Sequence, residues 1–402
     1  MGADLQNVRY TRPAATPTLR LASAGFFATA IAFGPARMGF GLFLPAFRED
    51  LALTTGQAGL IASAGFLAFL LALPVAAWLG ARFGQRLPVV AGALSAMAGF
   101  AVVASAAAGP ELALGVALAG ASAGMCWTPF NDAAERVVPM GARPGALSAI
   151  STGTTTGVAA AGALALVVGL GALDWRTAWG VFAGAAFLAA LGAVLGVPGG
   201  RGPAPPGTSP PTYLRRETMP LYGGALVFGT TNAVYLSFAG DRVAAAGGLA
   251  GLPETAAPAV VFLGYGICGL VGLATGRMEA RFGLGRLLVG VFSAFAASMA
   301  LVALTPGSWA GVVLSAGLHG AAVMTVSAVL SFWSLRLFPG RGSHGFTAAL
   351  VVAAFGSALG PALAGPVFAG LGPQTAFLAF AVLPATVAMA FAALLRSPVW
   401  RG

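Results

Sequence analysis

The sequence predicts an all-α integral membrane protein whose twelve transmembrane helices form two pseudo-symmetric six-helix bundles. Three observations predict it. Hydrophobic residues make up 58% of the 402 residues and charged residues only 8%, whereas soluble domains carry roughly 25% charged residues. One basic stretch occurs twice, about half the chain apart, and most arginines lie in alternate loops. A chain so poor in charge cannot cover itself with a solvated surface, so we expect the lipid bilayer to surround it.

The repeat is carried by a short basic loop and by a set of residues in register with it. The stretch Ala81-Arg82-Phe83-Gly84 recurs 199 residues later as Ala280-Arg281-Phe282-Gly283. Four further identities recur at an offset of 200, namely Gly120, Arg136, Pro139 and Gly145 with Gly320, Arg336, Pro339 and Gly345. Self-similarity at a fixed offset indicates two copies of one structural unit.

The spans must be helices, because in lipid every backbone amide needs an internal partner and the apolar runs lack the alternation of barrel strands. About 20 apolar residues cross a bilayer core of roughly 30 Å. We predict spans at about 21–46, 55–79, 87–108, 112–131, 144–171, 177–197, 219–239, 256–276, 287–305, 309–333, 346–371 and 374–395. The domains are then a tail (1–20), a bundle (21–197), a Pro/Gly-rich linker (198–218), a second bundle (219–395) and a tail (396–402).

The orientation follows from the basic residues, all 21 of which are arginine. Seventeen fall in the terminal segments and alternate loops on one side, three (Arg48, Arg176 and Arg242) on the other, and Arg37 lies within a span. Because positive loops stay inside, we predict a multi-pass protein of the bacterial inner membrane with both termini cytoplasmic. The net charge of +10 is scattered over short loops, which argues against a nucleic-acid partner.

The loop between spans 2 and 3 carries a resemblance to a known family. Residues 77–86 read Ala-Trp-Leu-Gly-Ala-Arg-Phe-Gly-Gln-Arg, which resembles the Gly-x-Leu-Ala-Asp-Arg-x-Gly-Arg-Arg signature of the major facilitator superfamily. The aspartate of that signature is Ala81 here, and Ala280 in the second copy. The first two spans, with Gly34-Pro35-Ala36-Arg37, Leu44-Pro45 and Gln57-Ala58-Gly59, resemble the branch often labelled YbfB/YjiJ.

The resemblance implies two bundles around a central cavity that spans 1, 4, 7 and 10 line. It also implies a rocker-switch motion that exposes a site near mid-membrane to each side in turn. It further suggests a cytoplasmic gate, in which Asp132 and Glu135 at the end of span 4 pair with Arg82 and Arg86. Arg281 and Arg336 are their counterparts in the second half. The alternative for these acids is a solvated helix end.

Arg37 is the most informative residue, because it lies about 5 Å from the middle of its predicted span. Pro35, two residues earlier, lacks the N–H that would bond to the Ile31 carbonyl, so we expect a kink there. A charge at that depth costs a few kcal/mol, and a guanidinium does not lose its proton in proteins. We therefore expect Arg37 to face water, a partner or a bound anion, and a carboxylate suits its paired N–H donors. The alternatives are an arginine held by helix carbonyls or one that reaches to the membrane surface.

The other candidate substrate-binding residues are polar or aromatic side chains on spans expected to line the cavity: Trp127, Asn131, Asn232, Tyr235, Tyr265 and His319. Taken alone, each is explained more simply by helix–helix hydrogen bonding or packing than by ligand contact, except His319, for which both explanations stand. No acidic residue lies mid-span, so His319 is the candidate for coupling to a proton. We expect no cofactor and no metal, since the two cysteines and two histidines show no ligand spacing.

These residues predict a monomeric secondary transporter for a small organic solute, an anion or carboxylate bound through Arg37. A coupling proton or a counter-transported anion is the expected second partner. The first alternative is an efflux pump for hydrophobic or cationic compounds, and the second is a transporter-like protein that only binds or assists assembly. An intramembrane enzyme would need a nucleophile with a base or a metal site, and the sequence contains neither HExxH nor G-x-S-x-G.

Overall fold

The computed structural model describes residues 15–200, 213–338 and 342–396, and these form a helical bundle. The α-helices are α1 (Ala15–Phe33), α2 (Pro35–Leu51), α3 (Thr55–Phe83), α4 (Arg86–Ser105), α5 (Gly109–Cys126), α6 (Thr128–Val137), α7 (Arg143–Gly169), α8 (Trp175–Gly196), α9 (Met219–Ala244), α10 (Ala257–Gly269), α11 (Thr275–Phe282), α12 (Leu284–Leu304), α13 (Trp309–Leu337) and α14 (Gly342–Arg396). The predicted linker falls mainly on residues 201–212, outside the described residues, as do most of the predicted tails.

The described helices agree with the predicted number of crossings. Ten stretches are long and apolar enough to span a membrane. The longest, Gly345–Leu395, contains two crossings, because Gly372 has a left-handed φ of 76° that divides α14. Helix α9 is not among the ten and carries Asp241 and Arg242, but its 26 residues extend about 39 Å, enough to cross. Together these make twelve.

Three crossings are interrupted rather than continuous helices. The first is broken at Gly34, between α1 and α2, directly before Pro35, where the sequence predicts a kink. The fourth is broken at Trp127, between α5 and α6, and the eighth tightens into a 3₁₀ turn at Leu270–Ala274 before α11 begins. The last two interruptions were not predicted.

The internal repeat is visible in the loops that follow α3 and α11. Each helix ends with the repeated Ala-Arg-Phe sequence, and the next residue, Gly84 or Gly283, has a positive φ of 93° or 78°. Glycine is the residue that takes this conformation without a steric penalty. Because successive crossings alternate in direction, both loops lie at the end where α1 begins, here called the near end. The opposite end is the far end.

Several helices that start at the far end begin with a capping side chain. The Thr54 hydroxyl accepts a hydrogen bond from the Gln57 amide, and the Ser308 hydroxyl accepts one from the Gly311 amide. The donor–acceptor distance is 3.3 Å in both. Asp174 accepts bonds from the Thr177 hydroxyl at 2.5 Å and amide at 2.9 Å, and these bonds hold the pKa of Asp174 below its ordinary value. Such caps satisfy amide donors that a helix start leaves free.

The two halves of the chain meet closely at the far end. Helix α2 packs on α9 so tightly that a β-carbon on Gly41 would lie 2.7 Å from the Leu236 carbonyl carbon. Arg48 Nε lies 3.1 Å from Asp241 Oδ1, an ion pair between the halves without hydrogen-bond alignment. These contacts join the two halves at the far end.

Candidate functional site

A cavity lies beside the break between α1 and α2, at the depth where the first crossing changes direction. Its empty space measures about 390 Å³, including the part that is open to solvent. We call it the Arg37 cavity, and its lining residues are Ala36, Arg37, Phe40, Gly41, Ala62, Gly65, Phe66, Phe69, Val116, Gly120, Leu236 and Ser237. Most come from the first half, with two from α9, so the cavity lies between the halves.

Arg37 is half-buried in this cavity and is surrounded by phenyl rings. Its Cζ lies 4.4 Å from the ring centre of Phe69, 5.4 Å from that of Phe66 and 5.8 Å from that of Phe33. These distances are within the range of cation–π attraction. No described residue accepts a hydrogen bond from the guanidinium or forms an ion pair with it. Its N–H donors therefore remain available to water or to a ligand.

A second group of polar side chains lies in the other half of the chain, and we call it the His319 cluster. It consists of Asn232, Tyr235, Tyr265, Ser298, Ser315 and His319. The cluster joins α9, α10, α12 and α13, and all its members are buried. Tyr235 directly precedes Leu236 and Ser237 of α9, which line the Arg37 cavity. The cluster therefore adjoins the Arg37 cavity without lining it.

The cluster is held by stacking and by a chain of hydroxyl groups. The His319 ring stacks on Tyr235, with 3.8 Å between ring centres. His319 Nδ1 lies 3.0 Å from Ser298 Oγ. The Ser315 hydroxyl donates to the Ser298 carbonyl at 2.8 Å and lies 3.0 Å from the Tyr235 hydroxyl. His319 Nε2 is buried and has no hydrogen-bond partner among the described residues. An unpaired buried polar atom is costly, so Nε2 is a candidate contact for a ligand or water.

The structure separates the other predicted substrate-binding residues from this cluster. Trp127 lies at the break between α5 and α6, where its ring packs edge-on against Phe33 at 5.5 Å. Phe33 also contacts Arg37, so Trp127 packs against a ring that itself contacts the guanidinium. Asn131 lies in α6, and its side chain falls outside the described part of the structure.

The predicted gate residues lie at the near end, where each half makes its own polar contacts. Asp132 accepts a hydrogen bond from Gln85 at 2.8 Å, and Arg86 donates to the Val197 carbonyl at 2.7 Å. Among the described residues, no ion pair joins Asp132 to Arg86 in this conformation, and each has another partner within the first half.

The remaining gate residues also bond within one half. Arg336 pairs with Glu279, and Arg281 lies over the ring of Phe282 at 5.5 Å. The Glu135 carbonyl accepts a hydrogen bond from Arg143 at 2.5 Å. Arg82 lies over the ring of Phe83 at 5.8 Å. Each of these contacts, all between described residues, lies within one half of the chain.

Of the residues at these two sites, the sequence singled out Arg37, Asn232, Tyr235, Tyr265 and His319 as candidates and did not point to their neighbours. The rings around Arg37 were missed, although Phe33 lies one helical turn before it and Phe66 and Phe69 share one face of α3. Ser298 and Ser315 were also missed. Their signal is a hydroxyl within an otherwise apolar helix, which small packing residues also provide. No group of three or more metal-binding side chains occurs among the described residues.

Comparison with known proteins identifies the family and the fold of this chain. A family model described as the Major Facilitator Superfamily matches residues 25–240. The solved structure of the nucleoside transporter NupG superposes with a TM-score of 0.72 at 14% identity, covering 95% of this chain and 99% of that one. No curated protein sequence matches.

Two further solved structures share the fold. A bacterial homolog of the human lysosomal transporter Spinster, in an inward-facing and occupied conformation, has a TM-score of 0.68 at 18% identity and covers 95% of this chain and 97% of its own. A POT family transporter in complex with 5-aminolevulinic acid has a TM-score of 0.72 at 13% identity and covers 96% of both chains. At these identities the similarity concerns the fold alone.

Proposed function

Because this chain belongs to the Major Facilitator Superfamily, and is a membrane-embedded secondary transporter rather than an enzyme, we propose that it carries a small organic anion bound through Arg37. One observation supports this most directly: the guanidinium lines a cavity between the halves, and no described residue pairs with it. A permanently charged group at membrane depth without a counterion is costly, and a transient anionic partner would offset that cost.

We propose that transport follows alternating access and that the present conformation is open at the near end. The contacts between α2 and α9 and the Arg48–Asp241 ion pair join the halves at the far end. The near-end contacts of Asp132 and Arg336, in contrast, lie within single halves. The excess of arginine in the near-end loops supports a cytoplasmic location for this end.

His319 is proposed as the coupling group. It is the one histidine within a predicted span, and its Nδ1 joins a chain of hydroxyl groups that ends at Tyr235. A neutral imidazole with one free nitrogen can accept a proton when the site opens to water. The branch resemblance, the monomeric state and the bacterial inner membrane remain predictions from the sequence.

Efflux of hydrophobic or cationic compounds is the second candidate, because Phe40, Phe66 and Phe69 make the cavity aromatic. Arg37 disfavours the cationic members of that class by charge repulsion. The third candidate is a protein that binds its ligand without transporting it. It would show no counterflow of that ligand, whereas the other two candidates would.

The test begins with thermal unfolding of the purified protein in detergent, with carboxylates, neutral amides and quaternary amines as probes. A ligand at 100 times its Kd stabilises the folded state by about 2.7 kcal/mol. We expect at least one carboxylate to raise Tm in the unmodified protein and in Arg20→Ala, an exposed near-end control, but not in Arg37→Ala. Counterflow of that carboxylate in proteoliposomes should likewise be lost only in Arg37→Ala.

Two outcomes would reject the anion site. One is carboxylate stabilisation and counterflow that persist in Arg37→Ala. The other is stabilisation by quaternary amines alone, which would favour the efflux candidate. Arg37→Lys, which keeps the charge but loses the paired donors, should retain only part of the binding.

A further inference from the structure

The Arg37 cavity offers a ligand very few polar contacts. Among the described residues that line it, Ser237 is the only one besides Arg37 with a polar side chain, and its hydroxyl already donates to the Ala233 carbonyl at 2.7 Å. The remaining lining residues are glycine, alanine, valine, leucine and phenylalanine. A ligand in this cavity would therefore contact one cationic group on an otherwise apolar wall.

The phenyl rings next to Arg37 belong to this apolar wall and contact the guanidinium. Phe66 and Phe69 both contact the guanidinium and line the cavity, and neither can accept a conventional hydrogen bond. Apolar neighbours exclude water and lower the local dielectric, which strengthens the attraction between the guanidinium and a bound anion. The same neighbours make it costly to bury any second polar group of a ligand there.

We infer that the ligand is an amphipathic monoanion, with one carboxylate or similar group on a single apolar body. This inference rests on the proposed function and names the substrate class of the same site. Sugars and nucleosides would bury hydroxyl groups without partners, and a dicarboxylate would leave its second charge unpaired. The glycine and alanine residues of the lining, beside the rings of Phe40, Phe66 and Phe69, suit a compact apolar body such as a phenylalkyl or short alkyl chain.

The experiment measures the Tm of the detergent-purified full chain with four probes. These are 3-phenylpropionate, its uncharged amide, the cation phenethylamine, and succinate as a hydrophilic dianion. We expect stabilisation by 3-phenylpropionate alone, and its loss in Arg37→Gln. Phe69→Leu should weaken the affinity for 3-phenylpropionate by about two- to tenfold, since an aromatic contact is lost. Phe27→Leu, a substitution at a surface-exposed ring, should leave the affinity unchanged.

The outcomes separate this inference from the proposed function. Arg37-dependent stabilisation by succinate, without an effect of 3-phenylpropionate, would overturn the substrate class and leave the anion transporter standing. If the amide stabilised the protein as much as the acid, or if neither anion stabilised it, both the substrate class and the anion transporter would be overturned. If Phe69→Leu does not fold, Phe66→Leu serves as the second variant, and unchanged affinity there would remove the role of the rings.

Discussion

The contact between α2 and α9 leads to a sharp prediction about the conformational equilibrium. In Gly41→Ala, the added methyl group would lie 2.7 Å from the Leu236 carbonyl carbon and 3.1 Å from the Ser237 Cα, and closer still to the Leu236 carbonyl oxygen. Carbon atoms pack best at about 3.5–4.0 Å, so the carbon contact alone requires the two backbones to separate by about 1 Å, and the closer oxygen requires more. The clash exists only while the halves are joined at the far end.

The expected result is a shift toward the conformation in which the far end is open. Overpacking of this kind costs about 1–3 kcal/mol, and that free energy changes a two-state ratio by about 5- to 150-fold. Gly184→Ala is the matched control, because a β-carbon on this exposed glycine of α8 meets no atom within 4 Å. It should leave the ratio unchanged.

Spin labels at the far end measure the change as a distance distribution. Ala172→Cys and Ala246→Cys place labels on exposed positions in the two halves, in a background with Cys126→Ala and Cys268→Ala. We expect Gly41→Ala to lengthen the principal distance between the labels. A distance distribution identical to that of the unmodified background, in a protein that still transports, would refute the reasoning that α2 and α9 form the far-end closure.

Three further predictions concern the ion pair and the buried cluster. Asp241→Asn removes the pairing with Arg48, and because both side chains are partly exposed, the far-end-open population should rise by no more than about fivefold. His319→Gln should flatten the pH dependence of transport, measured in proteoliposomes as initial rate against pH. Ser298→Ala leaves the His319 Nδ1 without its hydroxyl partner, so the free energy of unfolding should fall by about 1–3 kcal/mol. The exposed Ser105→Ala is its control in a thermal unfolding assay.

Each of these predictions has an outcome that contradicts it. A fall in the far-end-open population of Asp241→Asn would mean that the ion pair opposes closure. An unaltered pH profile in His319→Gln would remove this residue as the coupling group. Equal Tm values for Ser298→Ala and Ser105→Ala would show that the hydroxyl chain contributes nothing to stability.

The sequence by itself determined the membrane class, the duplication and the number of crossings. These depend on composition and on periodic spacing, since few charges and long apolar runs leave only helices as a solution in lipid. It also singled out Arg37 and His319, because a charged or titratable group is conspicuous in an apolar helix. The break at Pro35 was predictable for a local reason, the missing backbone donor of proline.

The tertiary structure alone decided which of these residues meet. The rings of Phe66 and Phe69 reach Arg37 from another helix, and Ser298 reaches His319 from a third, through side-chain contacts that sequence spacing does not encode. Which end of the bundle is closed also depends on how the halves pack, because the repeat makes the two halves alike but does not specify at which end they meet. Contacts between helices are set by packing in three dimensions, whereas the helices themselves follow from local composition.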